Sequence, residues 1–258
     1  MATVAGAHAE RVNRVRDLQT VKGRKEHGRF AFEGPTLLDE ALRSGVAIEE
    51  LYVTDAVLSH NPTVRGLDER GTPVFVIDDR TLRKISDLET PTGLVALAEQ
   101  RPAGLDAILR SPLSLVLADL NDPGNVGTLI RSAEAFGAGG VVFGRLGVDP
   151  YHPKVVRGAM GSIFRLPLAV ASPQEFAAAA AAAETRVIGL AAGAPDLSRL
   201  EPAARTALVV GHERRGLGSW EIAGMRMAGM TMRGPADSLN AAVAGSIGLY
   251  VLCQDYRP

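Results

Sequence analysis

Ser114-Leu-Val-Leu-Ala-Asp-Leu-Asn-Asp-Pro-Gly-Asn-Val-Gly-Thr-Leu-Ile-Arg131 is the stretch that decides the fold class. Its first six residues, Ser114–Asp119, form a continuous apolar run. That pattern belongs to a strand buried on both faces of a parallel sheet, not to the alternation of a half-buried one. A Gly/Pro-rich turn follows, and apolar residues then recur at helical spacing, predicting an amphipathic helix over Gly127–Phe136. Further strands are expected at Gly140–Phe143, Arg186–Leu190 and Ala207–Val210, with a short Met-rich strand near Met230. Helices are expected at His152–Phe164, with Pro153 in its first turn, at the Ala-rich Phe176–Glu184, and from Ser238 to about Cys253. Strand–helix alternation of this kind predicts an α/β domain with a parallel sheet.

Upstream, helix-like and strand-like segments alternate over the first hundred residues: helix at Arg11–Lys22, strand at Phe30–Glu33, helix at Pro35–Arg43, strands at Glu49–Val53 and Pro73–Ile77, helix at Asp79–Ser86 and strand at Gly93–Ala98. Pro102 and Gly104 read as punctuation. The expected organisation is a small α/β domain over 1–100, a linker over 101–112 and a second, parallel-sheet domain over 113–258.

Bulk properties narrow the function. A chain of 258 residues with 46% hydrophobic content can bury a sizeable core, and with 5% aromatics that core must be aliphatic. A single cysteine, Cys253, excludes an intramolecular disulfide framework and a multi-cysteine zinc site, and no metal is expected. No apolar stretch approaches the roughly 20 residues that span a bilayer, and the N-terminus lacks signal-peptide character. A cytoplasmic protein without a membrane partner is the expectation. Net charge is −1, yet Glu10–Arg29 carries seven Lys/Arg (Arg11, Arg14, Arg16, Lys22, Arg24, Lys25, Arg29) against three acids. Such an excess suits a phosphate backbone, and it equally suits a solvated helix face.

Ligands of α/β sheets gather beyond the carboxyl ends of strands. Three loops there are rich in Gly, Asn, Glu and Arg: Asn121–Arg131, Leu208–Gly218 and Met230–Asn240. In the first, Asn125 stands at the helix entrance and Arg131 further inside. In the second, Gly211 leaves backbone open to a flat ligand and Glu213 lies between glycines. In the third, Asp237 or Ser238 is expected to cap the last helix. Each loop alone is also consistent with a turn, a surface carboxylate or a cap. Neither G-x-G-x-x-G nor a P-loop is present, so a dinucleotide or NTP site is unsupported.

In their joint order these segments resemble the SpoU (TrmH) family of SPOUT methyltransferases. The resemblance rests on Asn125-Val-Gly127 through Arg131, on Asp149–Phe164, on Gly211-His-Glu213-Arg-Arg-Gly216, and on Ser238-Leu-Asn240 opening the last helix. More weakly, Phe30-Ala-Phe-Glu33-Gly34 resembles the small ribosomal-protein-like domain that often precedes the catalytic one. Departures are Met230-Thr-Met232 for the usual Ile-Pro-Met, His212 for Ser or Asn, and Ala241-Ala242 for Val-Ser. The resemblance implies a deep C-terminal trefoil knot, a homodimer with a shared active site, S-adenosylmethionine as cofactor, and 2′-O-methylation of an RNA ribose. Ribosomal RNA is favoured over tRNA, with a housekeeping or an antibiotic-resistance role left open, and the alternative from another class is a non-catalytic RNA-binding module in ribosome assembly. It implies catalytic roles for Asn125, Arg131, Glu213, Ser238 and Asn240, and a cofactor site at Leu190, Gly211, Glu213, Met230, Met232, Ser238 and Leu239. Arginine stays protonated in proteins, so Arg131 is expected to orient phosphate and stabilise a developing alkoxide, leaving the proton to a phosphate oxygen or Glu213. RNA contacts are expected at Arg11, Arg14, Lys22, Arg24, Arg29, Arg145, Lys154 and Arg157. Cys253 is expected to be buried packing, which disfavours base methylation through a cysteine adduct.

Overall fold

The structure is a computed structural model and describes residues 3–4, 9–235 and 237–254. It divides into two compact units. One comprises the chain up to Gln100 together with Tyr151–Phe164; the other comprises Arg101–Pro150 and the chain from Arg165 onward.

The first unit contains β1 (Thr3–Val4), α1 (Ala9–Asp17), α2 (Val21–His27), β2 (Arg29–Glu33), α3 (Pro35–Arg43), β3 (Ile48–Val53), α4 (Asp55–His60), α5 (Pro62–Glu69), β4 (Val74–Val76), α6 (Asp79–Ile85) and β5 (Leu94–Glu99). The strands form one mixed sheet in the order β1-β4-β3-β5-β2, with β5 antiparallel to both neighbours. Val15 and Leu18 of the first helical segment and Leu82 and Ile85 of α6 bury against Tyr52, Phe75, Val95 and Leu97 of the sheet. The single helix expected over Arg11–Lys22 is two, because the Thr20 hydroxyl accepts from Gly23 N–H and starts α2 afresh. Helices α4 and α5 were not anticipated; Thr54 and Asn61 cap them. Glu33 is buried, accepting from the Ser86 hydroxyl at 2.6 Å and Thr92 N–H at 2.8 Å, which closes the loop before β5 onto β2. Tyr151 and Phe164 pack on Phe30 and Phe32, with ring centroids 4.7 Å and 5.2 Å apart. The segment Asp149–Phe164, read as part of the second domain, thus gives Tyr151–Phe164 to the first unit.

The second unit runs α7 (Leu105–Leu109), β6 (Leu113–Ala118), α8 (Pro123–Ala135), β7 (Val141–Gly144), then, after α9 (Pro153–Gly158) in the first unit, β8 (Leu168–Ala171), α10 (Pro173–Ala182), β9 (Arg186–Leu190), β10 (Thr206–Gly211), β11 (Arg226–Ala228) and α11 (Ala241–Cys253). Its six strands are all parallel, in the order β11-β9-β10-β6-β7-β8. Every residue of β6 is buried, as its continuous apolar run predicts. One sheet face buries Val116, Val142 and Val209 with Ile108, Leu109, Phe176 and Trp220. Ile108 and Leu109 belong to α7, which lies where a linker was expected. The other face carries α8 and α11, which meet closely because Gly245 has no side chain: a Cβ there would sit 2.4 Å from Leu129 Cδ2. The hydroxyls of Ser132 and Ser246 join the same contact at 2.7 Å. Among the described residues no helix is long and apolar enough to cross a membrane.

Candidate active site

All three loops singled out in the sequence stand at the carboxyl end of the second unit's sheet. The β6–α8 connection is short, and Asp119 at its start takes a left-handed conformation (φ 54°). Its carboxylate accepts from Leu146 N–H at 3.1 Å and from the buried Trp220 indole at 3.0 Å. Helix α8 begins at Pro123, with Asp122 accepting from Asn125 N–H at 2.7 Å. Asn125 is therefore in the first turn and its side chain is free to reach outward.

The chain after β10 makes a tight hairpin. Gly211 permits it, since a Cβ there would lie 2.5 Å from the carbonyl carbon of Gly216. His212 and Gly216 exchange two backbone hydrogen bonds of 2.9 Å, leaving Glu213, Arg214 and Arg215 as the tip. His212 Nδ1 accepts from Arg214 N–H at 3.1 Å, and its Nε2 meets the side-chain amide of Asn121 at 3.2 Å.

The third loop, from Gly229 to Asn240, is fastened at its start. Asp196 accepts from Thr231 Oγ1 and Ser198 Oγ, each at 2.6 Å. These bonds, that from Ser198 foremost, hold its carboxyl well below the usual carboxylate range. The end of the loop is held by Asn240, whose Oδ1 accepts from Ala242 N–H at 2.8 Å and Val243 N–H at 3.3 Å. Asn240, not Asp237 or Ser238, caps α11, and the helix begins at Ala241.

These loops meet through a directional chain of hydrogen bonds. The two helix N–H groups fix Asn240 Oδ1, so its Nδ2 faces outward and donates to Asn125 Oδ1 at 3.0 Å. Asn125 Nδ2 must then donate onward, and it does so to Glu213 Oε1 at 3.1 Å. Glu213 Oε2 takes no part in that chain and lies 3.7 Å from His212 Nδ1. Beside the chain opens a cleft of about 560 Å³, within the range that small ligands occupy. Leu190, Gly211, Glu213, Met230, Met232, Ser238 and Leu239 all line it, as does Asn240. Its wall combines apolar side chains, strand-end backbone and the Glu213 carboxylate, a donor set that suits a nucleoside carrying a cationic, thioether-like tail. Among the described residues no group of His, Cys, Asp or Glu is arranged to hold a metal.

Three of the expected catalytic residues, Asn125, Glu213 and Asn240, thus touch one another, and Ser238 lines the cleft. Arg131 does not join them. It lies six residues beyond Asn125, two-thirds of a turn away around α8, on an exposed stripe with Gly124, Thr128 and Ala135, and bonds to no described residue. Asn121, His212 and Asp196 were missed. Asp196-Leu-Ser198 carries an Asx-turn signature that marks the last of these.

The expected RNA contacts need correction. Arg24 is fully buried and donates to the Leu18 carbonyl at 2.8 Å, so it is a structural residue of the first unit. Arg11 and Arg14 share Glu50, Arg29 pairs with Glu49, Arg157 with Asp87 and Arg145 with Glu175. Lys22 and Lys154 are exposed. Cys253 is half-buried, with its thiol 3.1 Å from the Tyr250 carbonyl, and does not line the cleft.

The chain is similar to known proteins over nearly its whole length. Residues 112–250 match the SpoU rRNA Methylase family, and residues 9–96 match the MRM3-like substrate binding domain. The 23S rRNA (guanosine(2553)-2′-O)-methyltransferase of Bacillus subtilis is 28% identical over 256 residues, covering 98% of this chain and 99% of that one. The 23S rRNA (uridine(2479)-2′-O)-methyltransferase of Streptomyces viridochromogenes is 37% identical over 172 residues, which span 63% of this chain and 60% of that protein. The crystal structure of an AdoMet-bound rRNA methyltransferase from Sinorhizobium meliloti superposes with a TM-score of 0.85 at 28% identity, covering 100% of this chain and 99% of the other. The family match extends over more than half of the chain, across all three loops of the cleft, and the chain belongs to the SpoU rRNA methylase family.

Proposed function

We propose that this protein is an S-adenosylmethionine-dependent RNA 2′-O-ribose methyltransferase acting on ribosomal RNA in the cytoplasm. The observation that carries the reading is the Asn240–Asn125–Glu213 chain at the mouth of a nucleoside-sized cleft. Family membership and the rRNA methyltransferases it resembles support the substrate class.

S-adenosylmethionine, when bound, supplies an electrophilic methyl carbon on a sulfonium sulfur. Leu190, Gly211, Met230 and Leu239, which line the cleft, would hold its adenosine part. Ribose oxygen is a poor nucleophile until it loses its proton, so a base within hydrogen-bond reach and strict alignment are the two requirements. Asn125 anchors Glu213 through Oε1, which leaves Oε2 to take the 2′-hydroxyl proton. Arg131 neutralises the phosphate next to the target ribose and the charge growing on its oxygen.

A second copy of the chain completes this arrangement. Val243, Ile247 and Tyr250 form an exposed apolar stripe at helical spacing on α11, beside α8. Covering that stripe with its counterpart makes an isologous dimer and brings a partner's loops to the α8 face that carries Arg131. The C-terminal knot implied by the family is part of the same reading.

The test is incubation of the protein with tritiated S-adenosylmethionine and total bacterial RNA, followed by alkaline digestion. Tritium in alkali-resistant dinucleotides from the rRNA fraction is the expected result. Label confined to tRNA redirects the substrate, and absence of both label and cofactor binding refutes the reading.

A further inference from the structure

Among the described residues, arginines of the second unit fall into two groups, paired and unpaired, and Arg131, Arg199 and Arg226 belong to the unpaired one. Arg110, Arg165, Arg186 and Arg205 are tied to Asp106, Glu134, the Glu201 carbonyl and the Ala183 carbonyl. Arg214, Arg215 and Arg233 are exposed, and their side chains bond to no described residue. All three stand on the loops that build the cleft. Arg214 and Arg215 form the tip of the Gly211–Gly216 hairpin next to Glu213, and Arg215 also lines the cleft. Arg233 lies between Met232 and Asp237, which both line the cleft, two residues after the Thr231 that Asp196 holds.

The backbone beneath Arg214 and Arg215 is fixed by its own hydrogen bonds. The hairpin is closed by the His212–Gly216 bonds and its tip is pinned by the Arg214 N–H to His212 Nδ1 bond. Arginines presented from a fixed backbone beside a carboxylate, without partners of their own, are preorganised for anions that arrive from outside. A ribose held at Glu213 carries phosphates on both its 3′ and 5′ sides, a few ångströms from its 2′-oxygen. We propose that Arg214, Arg215 and Arg233 clamp the RNA backbone phosphates flanking the target ribose. This rests on the proposed function and adds the site that holds the strand across the cleft.

The experiment uses the full-length protein and measures two quantities. The first is the Kd for a fluorescent 20-nucleotide single-stranded RNA of mixed sequence, taken as a function of KCl concentration. The second is the Kd for S-adenosylmethionine by calorimetry. Each phosphate contact with single-stranded RNA contributes about 0.7 to the slope of log K against log salt. Loss of three contacts in R214A/R215A/R233A therefore lowers the slope by about 2, with cofactor affinity unchanged. The lysine triple variant, which keeps the point charges, retains most of the slope. The pair R199A/R226A removes two equally unpartnered arginines outside the cleft and leaves the slope at the parent value. A parent that methylates RNA while the triple alanine variant keeps its slope overturns the clamp and spares the proposed function. A parent that neither binds nor methylates RNA overturns the function itself. A cofactor Kd raised more than tenfold with the RNA slope intact assigns the arginines to the cofactor. Dissociation of the dimer in sedimentation assigns them to a subunit contact. Either result also overturns the clamp.

Discussion

Replacing Asn240 separates two jobs that this residue performs at once. Its Oδ1 caps α11, and its Nδ2 starts the chain that ends on Glu213. In Asn240→Asp the cap survives, and the added negative charge at a helix N-terminus contributes about 0.3–1 kcal/mol. The donor is lost, however, and a carboxylate oxygen then faces Asn125 Oδ1. Rotating the Asn125 amide by half a turn repairs that end but turns its oxygen onto the Glu213 carboxylate. With acidic acceptors at both ends and one amide between them, no arrangement satisfies every contact. The hydrogen bond at risk is the one to Glu213, and bonds to charged groups contribute about 1.5–3 kcal/mol. Partial exposure places this one at the lower limit, so kcat/KM falls roughly tenfold. Asn240→Ser, a capping residue without the donor, loses activity to a similar degree. Asn240→Ala also loses the cap, at about 1 kcal/mol, which for a chain of this size is about 2–4 °C in Tm. The assay is methyl transfer to rRNA at varied substrate, with Tm by differential scanning fluorimetry alongside. Asp and Ser variants that keep the parent kcat/KM within twofold refute the idea that the chain orients Glu213.

Other expectations follow from single contacts. Gly211→Ala places a methyl 2.5–2.8 Å from backbone atoms of Gly216 and Leu217. The resulting 1–3 kcal/mol of overpacking displaces the hairpin tip, so S-adenosylmethionine Kd rises at least fivefold by calorimetry. Arg131→Ala lowers kcat about 100-fold or more at saturating RNA and cofactor, as expected for one lost charge contact to a developing oxyanion, while cofactor Kd stays constant. Val243→Asp/Ile247→Asp converts the proposed dimer to monomer in light scattering, and activity disappears with it. Glu175 accepts from Ser172 N–H and from Arg145, and these bonds lower its pKa from 4.5 to about 2. Its stabilising contribution is present above pH 4.5 and is lost as pH falls toward 2. The Tm deficit of Glu175→Gln accordingly shrinks over that interval.

The parallel sheet was legible because β6 is buried along its whole length and β10 in all but Gly211, which gives each a short continuous apolar run between turn signals. Strand β8 escaped because its Leu168–Ala171 is short and lies at the sheet edge with Val170 exposed. The cleft was legible only from the order of its three loops, since each alone is an ordinary turn. The link between Asn125 and Glu213, 88 residues apart, has no local signature. Arg24 shows the opposite failure. A run of basic residues looks like a surface, and nothing nearby in the chain announces that one of them turns inward to the Leu18 carbonyl.

Tyr151–Phe164 leaves one unit, covers Phe30 and Phe32 in the other, and returns. The polypeptide therefore crosses between the units three times, and no single cut separates them. A fragment beginning at Arg101 carries Tyr151, Val155, Val156 and Phe164 without the sheet they were made to cover. Swapping the N-terminal unit between relatives has the same constraint: a chimera joined only near residue 100 inherits a mismatched plug. In a functional exchange the short 151–164 insert travels with the N-terminal piece, as one inheritable unit written in two separate places.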